Sequence, residues 1–227
     1  MAEYLSINAA YWQAGLDAPN VESFVFRLFG RTRQDLGLTG NGEALVDFGC
    51  GQGAAVNYFT MQGLNAWGCD ISERDIAIAK IRYPHIARKF VHCDTSPAKN
   101  SYYAIENNVA CVTAFQALYY LSDHDFAECV DKLRSSLRRD GAIIASMIGE
   151  QAKDYFDRSE PALDGLRRVT SESPGRSEVY INFTRDEAHL VGKFKGFRAL
   201  HTGYYCGKFR SDDPGDTFHW TFVGIKS

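Results

Sequence analysis

The sequence predicts an α/β fold built on a parallel sheet. Short apolar runs alternate with helical patterns over the first two thirds of the chain, and this alternation is typical of parallel strands joined by right-handed crossover helices. The apolar runs are 44–48, 65–70, 89–93, 109–116 and 142–147. Two long strand-like runs, 197–206 and 217–225, close the chain, with turn residues at 212–215 between them.

The helices are predicted from apolar periodicity and from capping patterns. Residues 21–29 carry apolar side chains at helical spacing, which predicts an amphipathic helix before the first strand. Ser72, Ser122 and Thr184 each stand three residues before an acidic residue, the spacing of a capping box at a helix N-terminus. Between 149 and 183 the alternation stops, and the proline and glycine content predicts a long loop.

Composition excludes several classes of function. The chain has 227 residues, 45% hydrophobic and 23% charged, and its net charge of −3 provides no basic field for nucleic acid or an anionic membrane. No run approaches the ~18 apolar residues of a membrane span, and the N-terminus lacks the features of a signal peptide. We therefore expect a cytoplasmic protein with neither a nucleic-acid nor a membrane partner.

Cysteine and histidine spacing gives no sign of a metal site. The histidines are scattered, and no pair of cysteines has C-x-x-C spacing. We interpret the cysteines as small buried residues in a reducing cytosol. They are Cys50, Cys69, Cys93, Cys111, Cys129 and Cys206.

The clearest functional signal is a glycine-rich bend after the first apolar run. Gly49, Gly51 and Gly53 alternate there, and a helical pattern follows directly. Glycine has no Cβ, so the backbone can adopt positive φ and lie against a ligand. The N-terminus of the following helix directs free N–H groups toward the same place. The bend therefore predicts a site for a nucleotide-like or anionic small molecule.

Two ligands fit this bend. Gly49-x-Gly51-x-x-Ala54 fits the dinucleotide fingerprint, so an NAD(P)-dependent reductase is one hypothesis. Asp47-x-Gly49-x-Gly51-x-Gly53 resembles motif I of the class I S-adenosylmethionine (SAM) methyltransferases. A carboxylate before the first glycine suits the ammonium and sulfonium of SAM, whereas it would repel a pyrophosphate. Asp47 therefore favours SAM.

Further segments strengthen this resemblance across residues 40–150. Asp70 ends the second run, 21 positions after Gly49, where the fold places a carboxylate for ribose hydroxyls. NAD enzymes share that feature, so it indicates a nucleoside. Asp94 ends the third run, where the family often carries an acceptor for the adenine amino group. Residues 133–141 resemble the family's turn into the fifth strand, with Arg139 and Asp140 replacing its proline and first glycine.

The resemblance implies a single SAM-dependent methyltransferase domain over residues 1–227. Its sheet would have seven mostly parallel strands with helices on both faces and an antiparallel last strand, a hairpin ending that an NAD-binding domain would not be expected to share. An N-terminal cap, 1–40, and a lid insertion, 149–183, would flank the cofactor. The expected SAM-binding residues are Asp47, Gly49, Cys50, Gly51, Gly53, Asp70, Ile71, Asp94, Thr95, Phe115, Gln116, Tyr11 and Arg31.

Two of these residues belong to the N-terminal segment. Tyr11 lies in the arm expected to close over the cofactor, although aromatic residues there also suit simple packing. Arg27 and Arg31 stand one helical turn apart, and Arg31 is the candidate for the SAM carboxylate, with a solvated helix face as the alternative. The lid contains four further arginines, which favour an anionic acceptor or a solvated insertion. These are Arg158, Arg167, Arg168 and Arg176.

The expected reaction is methyl transfer to an oxygen or nitrogen of a small polar molecule. A base is needed only if the acceptor must lose a proton. The candidates are Tyr119, Tyr120, His124, His201 and His219, each of which also suits packing or surface exposure. We expect a monomer or homodimer whose acceptor is a precursor of a surface glycan or secondary metabolite. A non-catalytic SAM-binding protein is a further alternative.

Overall fold

A computed structural model describes residues 3–13, 20–170, 178–207 and 218–227. The helices within these ranges are α1 Glu3–Gln13, α2 Ser23–Thr32, α3 Ala54–Met61, α4 Glu73–Arg82, α5 Asp123–Ser136, α6 Lys153–Phe156 and α7 Glu187–Lys193. The strands are β1 Ala44–Phe48, β2 Asn65–Asp70, β3 Phe90–His92, β4 Val109–Ala114, β5 Leu137–Ile148, β6 Ser159–Pro161, β7 Arg167–Thr170, β8 Glu178–Ile181, β9 Phe197–Tyr205 and β10 His219–Lys226. No helix in this part of the chain is both long and apolar enough to cross a bilayer.

Seven strands form the main sheet in the order β3-β2-β1-β4-β5-β10-β9. Strands β1 to β5 pair in parallel, and β10 pairs antiparallel with both β5 and β9. The predicted fold class, including the antiparallel last strand, is confirmed. The strand order reverses between β1 and β4, and ligands of such sheets bind beyond the carboxyl ends of the strands at this reversal.

The sheet is covered on both faces because successive strand residues point to opposite sides. Leu45 packs with buried residues of α2, α3 and α4, whereas its neighbour Val46 packs in the cluster that includes α1, α5 and α7. On the second face, Phe194, which directly follows α7, stacks on Phe222 of β10 with ring centroids 4.3 Å apart. These two layers hold the carboxyl ends of β1, β2 and β4 at one edge.

The predicted loop at 149–183 contains regular structure instead. Strands β6, β7 and β8 form a small antiparallel sheet, and α1 packs against β8. The Asn8 amide donates to the carbonyls of Tyr120 and Tyr180, and its oxygen accepts the Tyr180 N–H at 2.7 Å. The N-terminal helix and the insertion therefore form one wall, and their roles as cap and lid stay predictions. The predicted turn at 212–215 lies outside the described residues.

Candidate active site

The glycine bend joins β1 to α3 through three residues with positive φ, 73° at Gly49, 51° at Gly51 and 83° at Gly53. A side chain at Gly49 would overlap the Ala117 side chain, and one at Gly53 would lie 2.6 Å from the Phe90 ring. A Cβ on Gly51 would meet no atom within 4 Å. Gly49 and Gly53 thus allow close packing, and Gly51 leaves open space for a ligand against the backbone.

Asp70, at the end of β2, is fixed by the bend itself. Its carboxylate accepts the N–H of Gly51 at 2.8 Å and the N–H of Ser72 at 2.8 Å. Burial raises the pKa of Asp70, although these two donors act in the opposite direction. The carboxylate therefore has a defined position, and it borders the cavity above the bend.

That cavity, which we call the cofactor cavity, has a volume of about 230 Å³. Eight of the predicted cofactor residues line it, namely Gly49, Gly51, Asp70, Ile71, Asp94, Thr95, Phe115 and Gln116. Leu5 and Asn8 of α1 also line it, so the N-terminal helix borders the space. The structure thus brings together the carboxyl ends of the four neighbouring strands β3, β2, β1 and β4 and the N-terminal segment.

Asp94 lies on the far side of the cofactor cavity, just beyond β3. Its carboxylate accepts the N–H of Ser96 at 2.9 Å, and Lys99 lies 3.6 Å away. The Ser96 donor and the nearby Lys99 charge lower the pKa of Asp94. The group therefore stays ionised and available as a hydrogen-bond acceptor.

Asp47 lies under the bend rather than in the cofactor cavity. It is 3% exposed, and the Thr113 hydroxyl donates to it at 2.6 Å. Burial raises its pKa to about 7, so its charge is not fixed at neutral pH. Asp47 and Cys50 line a recess of about 180 Å³ on the other side of the bend, together with Glu22. The Cys50 thiol packs toward Gly68 and away from the cofactor cavity.

A larger space, which we call the acceptor cleft, lies between α2 and the strands β9 and β10. Its volume is about 920 Å³. Tyr11 and Arg31, predicted for the cofactor, line this cleft and not the cofactor cavity. Arg31 misses the cavity because it lies two helical turns beyond Phe24, which borders the recess at the bend. Gly53 lines none of these three spaces and caps α3 instead.

Gln116 borders all three spaces at the end of β4. Its φ of 53° is unusual for a residue with a side chain. Its backbone N–H donates to the Ser146 hydroxyl at 2.8 Å. Its side-chain amide donates to the Tyr205 hydroxyl at 3.0 Å and to the Glu22 carboxylate at 3.2 Å. These contacts hold the strained backbone in place and fix the side chain between cavity and cleft.

The candidate bases are distributed unequally. Tyr119, Tyr120, His201 and His219 line the acceptor cleft, and Tyr120 also lines the cofactor cavity. His124 lies exposed on α5 and lines none of the three spaces, because the polar start of that helix faces away from the sheet edge.

His219 is the most enclosed of these groups, with 4% of its surface exposed. Its Nε2 lies 3.5 Å from the Tyr119 hydroxyl, and its ring stacks on Tyr205 at 5.0 Å with an angle of 4° between the planes. Burial raises the pKa of Tyr119 well above its ordinary value, so this hydroxyl stays protonated. His201 is exposed and lies 3.0 Å from Asp35.

One group of potential metal ligands lies outside these spaces. His124, Asp125 and Glu128 place their ligand atoms within 4.8 Å of one another. The Tyr4 hydroxyl donates to Asp125, and Glu128 pairs with Lys132 at 3.0 Å. Two of the three ligands therefore have structural partners already, and this group does not change the prediction that the reaction uses no metal.

Residues 45–141 match the family model described as a methyltransferase domain. Over this segment the chain is similar to methyltransferase domains, and its fold is that of the class I SAM-dependent methyltransferases. The cofactor of this enzyme is SAM, and the alternative of an NAD(P)-dependent reductase is not supported by the match. No curated protein matches the chain.

Solved structures share the fold of this methyltransferase. A SAM-dependent methyltransferase from Clostridium acetobutylicum ATCC 824 has a TM-score of 0.65 at 12% identity, over 91% of this chain and 93% of that one. Magnesium protoporphyrin IX methyltransferase from Synechocystis PCC 6803, with bound SAH, has a TM-score of 0.58 at 18% identity, over 90% and 82%. A protein solved for the conversion of a disulfide bond into a thioacetal group during echinomycin biosynthesis scores 0.65 at 16% identity, over 99% and 91%.

The acidic residues around the glycine bend fit SAM. Gly51 leaves open space beside the backbone, and five carboxylates border the cavity and the recess, namely Glu22, Asp47, Asp70, Asp75 and Asp94. Carboxylates suit a ligand with an ammonium, a sulfonium and two ribose hydroxyls. They would repel a pyrophosphate, which dinucleotides place at such a bend.

Several residues of the site had little signal in the sequence. Leu5, Asn8 and Tyr205 reach it from the two ends of the chain, so no local spacing indicates them. Asp75 also lines the cofactor cavity. The capping pattern predicts Asp75 in the first turn of α4, where its N–H donates to the Ser72 hydroxyl. That pattern does not indicate that its carboxylate borders the cavity together with Asp70 and Asp94.

Proposed function

We propose that this methyltransferase transfers the SAM methyl group to an oxygen or nitrogen of a small polar molecule bound in the acceptor cleft. The observation that supports this most directly is the position of Gln116 and Tyr120, which line both the cofactor cavity and the cleft. Two ligands in adjoining spaces can meet there with their reacting atoms in line. Such positioning accounts for much of the acceleration expected of this reaction.

In this proposal the adenosyl half of SAM lies in the cofactor cavity and its amino-acid tail lies along the bend. Asp70 accepts from the ribose hydroxyls, and Asp94 with Thr95 borders the adenine. Asp47 and Glu22 line the recess, where they face the cationic end of the ligand. The N–H groups at the start of α3 border the same recess and suit the tail carboxylate.

When bound, SAM supplies a methyl carbon whose bond to sulfur breaks as an acceptor lone pair attacks, and the electron pair stays on sulfur in neutral S-adenosylhomocysteine (SAH). The protein holds the acceptor in line and limits its contact with water. An acceptor hydroxyl or protonated nitrogen must also lose a proton, so a base in the cleft is required for that class of acceptor.

His219 is the residue best suited to take that proton. It lies buried in the cleft, and the Tyr205 ring and the Tyr119 hydroxyl fix its orientation. Tyr119 is a poor base because its raised pKa keeps it protonated, and it can donate a hydrogen bond instead. His201 is exposed to solvent and lies against Asp35, which makes it less suited to a water-poor step.

The proposal is tested by following labelled methyl transfer from SAM across a panel of hydroxyl and amino acceptors. The panel includes sugar nucleotides, carboxylic acids and phenols, so that precursors of surface glycans and secondary metabolites are represented. We expect a labelled product from at least one class and stoichiometric SAH. Tight SAM binding without transfer to any member would favour the non-catalytic alternative.

A further inference from the structure

The acceptor cleft combines flat aromatic walls with two arginines on one side. We infer that it binds an aromatic carboxylic acid, an inference that rests on the proposed role of this cleft as the acceptor site. The ring would lie against the aromatic wall and the carboxylate would pair with Arg27 and Arg31. The methylated atom would then lie at the opposite end of the ring, near Gln116.

Three rings form a continuous wall of the cleft. Phe24 stacks on Tyr205 with centroids 4.0 Å apart and 11° between the planes, and Tyr205 stacks in turn on His219. All three residues line the cleft, as do Tyr119 and Tyr120. Aromatic rings pack favourably in offset or edge-on arrangements, so a planar ring fits such a wall better than a puckered one of similar size.

Helix α2 forms the adjoining wall with one face, and the two walls meet at Phe24. The residues of this face lie three, four, seven and eight positions after Phe24 and are Arg27, Leu28, Arg31 and Thr32; Asp35 follows just beyond the helix. That spacing places Arg27 and Arg31 one turn apart on the same side of the helix. Two guanidinium groups at this separation can bind the two oxygens of one carboxylate.

The charged groups of the cleft differ in whether they have partners. Asp35 lies 3.0 Å from His201, and Glu22 accepts from Gln116 at 3.2 Å. Among the described residues, Arg27 and Arg31 have no ion-pair partner. Each acid therefore has a polar partner, whereas the two arginines have no carboxylate partner among the described residues, which leaves their guanidinium groups available to an anion.

The lid arginines do not provide this charge. Arg167 lies over the Phe156 ring at 4.6 Å and donates to Ser159, and Arg168 pairs with Glu160 at 3.1 Å. Neither lines the cleft. Arg176 lies outside the described residues. The anionic acceptor predicted from the lid is thus supported by a different pair of arginines.

The position of the arginines along α2 sets the length of the acceptor. Helical rise places Arg27 about 4.5 Å and Arg31 about 10 Å beyond Phe24 along the axis. Phe24 packs edge-on against Phe115, which lines the cofactor cavity. A single ring with its carboxylate and its accepting group at opposite ends spans this interval.

The test measures binding to the full chain saturated with SAH, by calorimetry, so that it needs no turnover. The probes are 4-hydroxybenzoate, its uncharged amide 4-hydroxybenzamide, and the non-aromatic cyclohexanecarboxylate. We expect 4-hydroxybenzoate to bind at least tenfold more tightly than either of the other two. The inference would be overturned if 4-hydroxybenzoate did not bind, or if it bound no more tightly than the amide or than cyclohexanecarboxylate.

Variants test whether Arg27 and Arg31 cause the preference for 4-hydroxybenzoate over its amide. The double variant Arg27→Gln/Arg31→Gln should bind 4-hydroxybenzoate no more tightly than the amide. The matched control Arg138→Gln/Arg139→Gln removes the same charge at the opposite end of the sheet and should keep the tenfold preference. If the first variant keeps the preference, the carboxylate is not held by α2 and the inference fails.

The outcome is separable from that of the proposed function. If 4-hydroxybenzoate binds as expected but no acceptor is methylated, the ligand class stands and methyl transfer fails. If a non-aromatic acceptor is methylated while 4-hydroxybenzoate does not bind, methyl transfer stands and the ligand class is wrong.

Discussion

Asp47 has its carboxyl group buried inside the sheet, and this burial raises its pKa from 3.8 to about 7. Between these pH values the folded protein keeps a proton that the unfolded chain has lost. The contribution of Asp47 to the free energy of unfolding is therefore full below pH 4 and is lost as the pH rises through 7. Its size is on the order of a few kcal/mol.

Urea unfolding at pH 5 and pH 8 measures this contribution. The Asp47→Asn variant keeps an acceptor for Thr113 but cannot titrate, so we expect it to lose less stability between the two pH values than the wild type. Asp131→Asn, on the exposed surface of α5, serves as the control and should follow the wild type. An identical pH dependence in Asp47→Asn and wild type would contradict the role assigned to burial.

Asp70 is the residue on which cofactor affinity should depend most. Asp70→Asn retains the size of the side chain, but its single oxygen must serve the N–H groups of Gly51 and Ser72 as well as the ribose. We expect the Kd for SAM to rise at least tenfold, about 1.4 kcal/mol. Calorimetry on Asp70→Asn checks this, and unchanged affinity would remove the ribose role.

The residues near the bend could be predicted because local spacing fixes them. Once a strand ends at Asp70 or Asp94 in a parallel sheet, its last side chain must lie at the ligand edge. Arg31 and Tyr11 line the acceptor cleft instead of the cofactor cavity, because their positions depend on how α1 and α2 pack on distant strands, and their cofactor roles stay predictions. Tyr205 is indicated by no short motif, since it reaches the site from the far end of the chain.

At the scale of elements, Asn8 supplies three of the hydrogen bonds that join α1 to the rest of the molecule, and the buried Tyr4 supplies others. Asn8→Ala would remove the acceptor of the Tyr180 N–H and the hydrogen bonds that Asn8 donates to the carbonyls of Tyr120 and Tyr180, at a cost of about 1–3 kcal/mol. We expect faster hydrogen exchange across residues 3–13 and weaker SAM binding, because α1 borders the cofactor cavity.

Ser6→Ala is the matched control on the same helix. The Ser6 hydroxyl is exposed and bonds only to the Glu3 carbonyl among the described residues, so its removal should leave exchange unchanged. Equal exchange in Asn8→Ala and Ser6→Ala would show that α1 is held by other contacts.

The helix caps show where a local sequence pattern is sufficient to predict the start of a helix. Ser72 and Ser122 accept the N–H groups of Asp75 and Asp125, each at 3.2 Å, as predicted. Thr184 does not cap α7, because its N–H donates to Ile148 and its side chain is fully buried; Asp186 caps the helix instead. The strands β6 to β8 were missed because they have only three or four residues each and stand among proline and glycine.

At the scale of the whole molecule, the alternation of strands and helices was enough to predict a parallel sheet, and the resemblance supplied its antiparallel ending. The central strand β4 is buried at all six positions, so its apolar run is distinct. The division of the ligand edge into a cofactor cavity, a recess and an acceptor cleft was not predictable, since it arises where α1, α2 and the β9–β10 pair meet. A monomer or homodimer in the cytoplasm stays the prediction.

The central claim is that the glycine bend holds the adenosyl group of SAM, with Asp70 on the ribose. A crystal structure of the protein with SAH tests it most directly. We predict density for the adenosyl group in the cofactor cavity, both ribose hydroxyls within hydrogen-bond distance of Asp70, and the amino-acid tail beside Gly51. Density for SAH in another part of the molecule, or a ribose turned away from Asp70, would contradict this account.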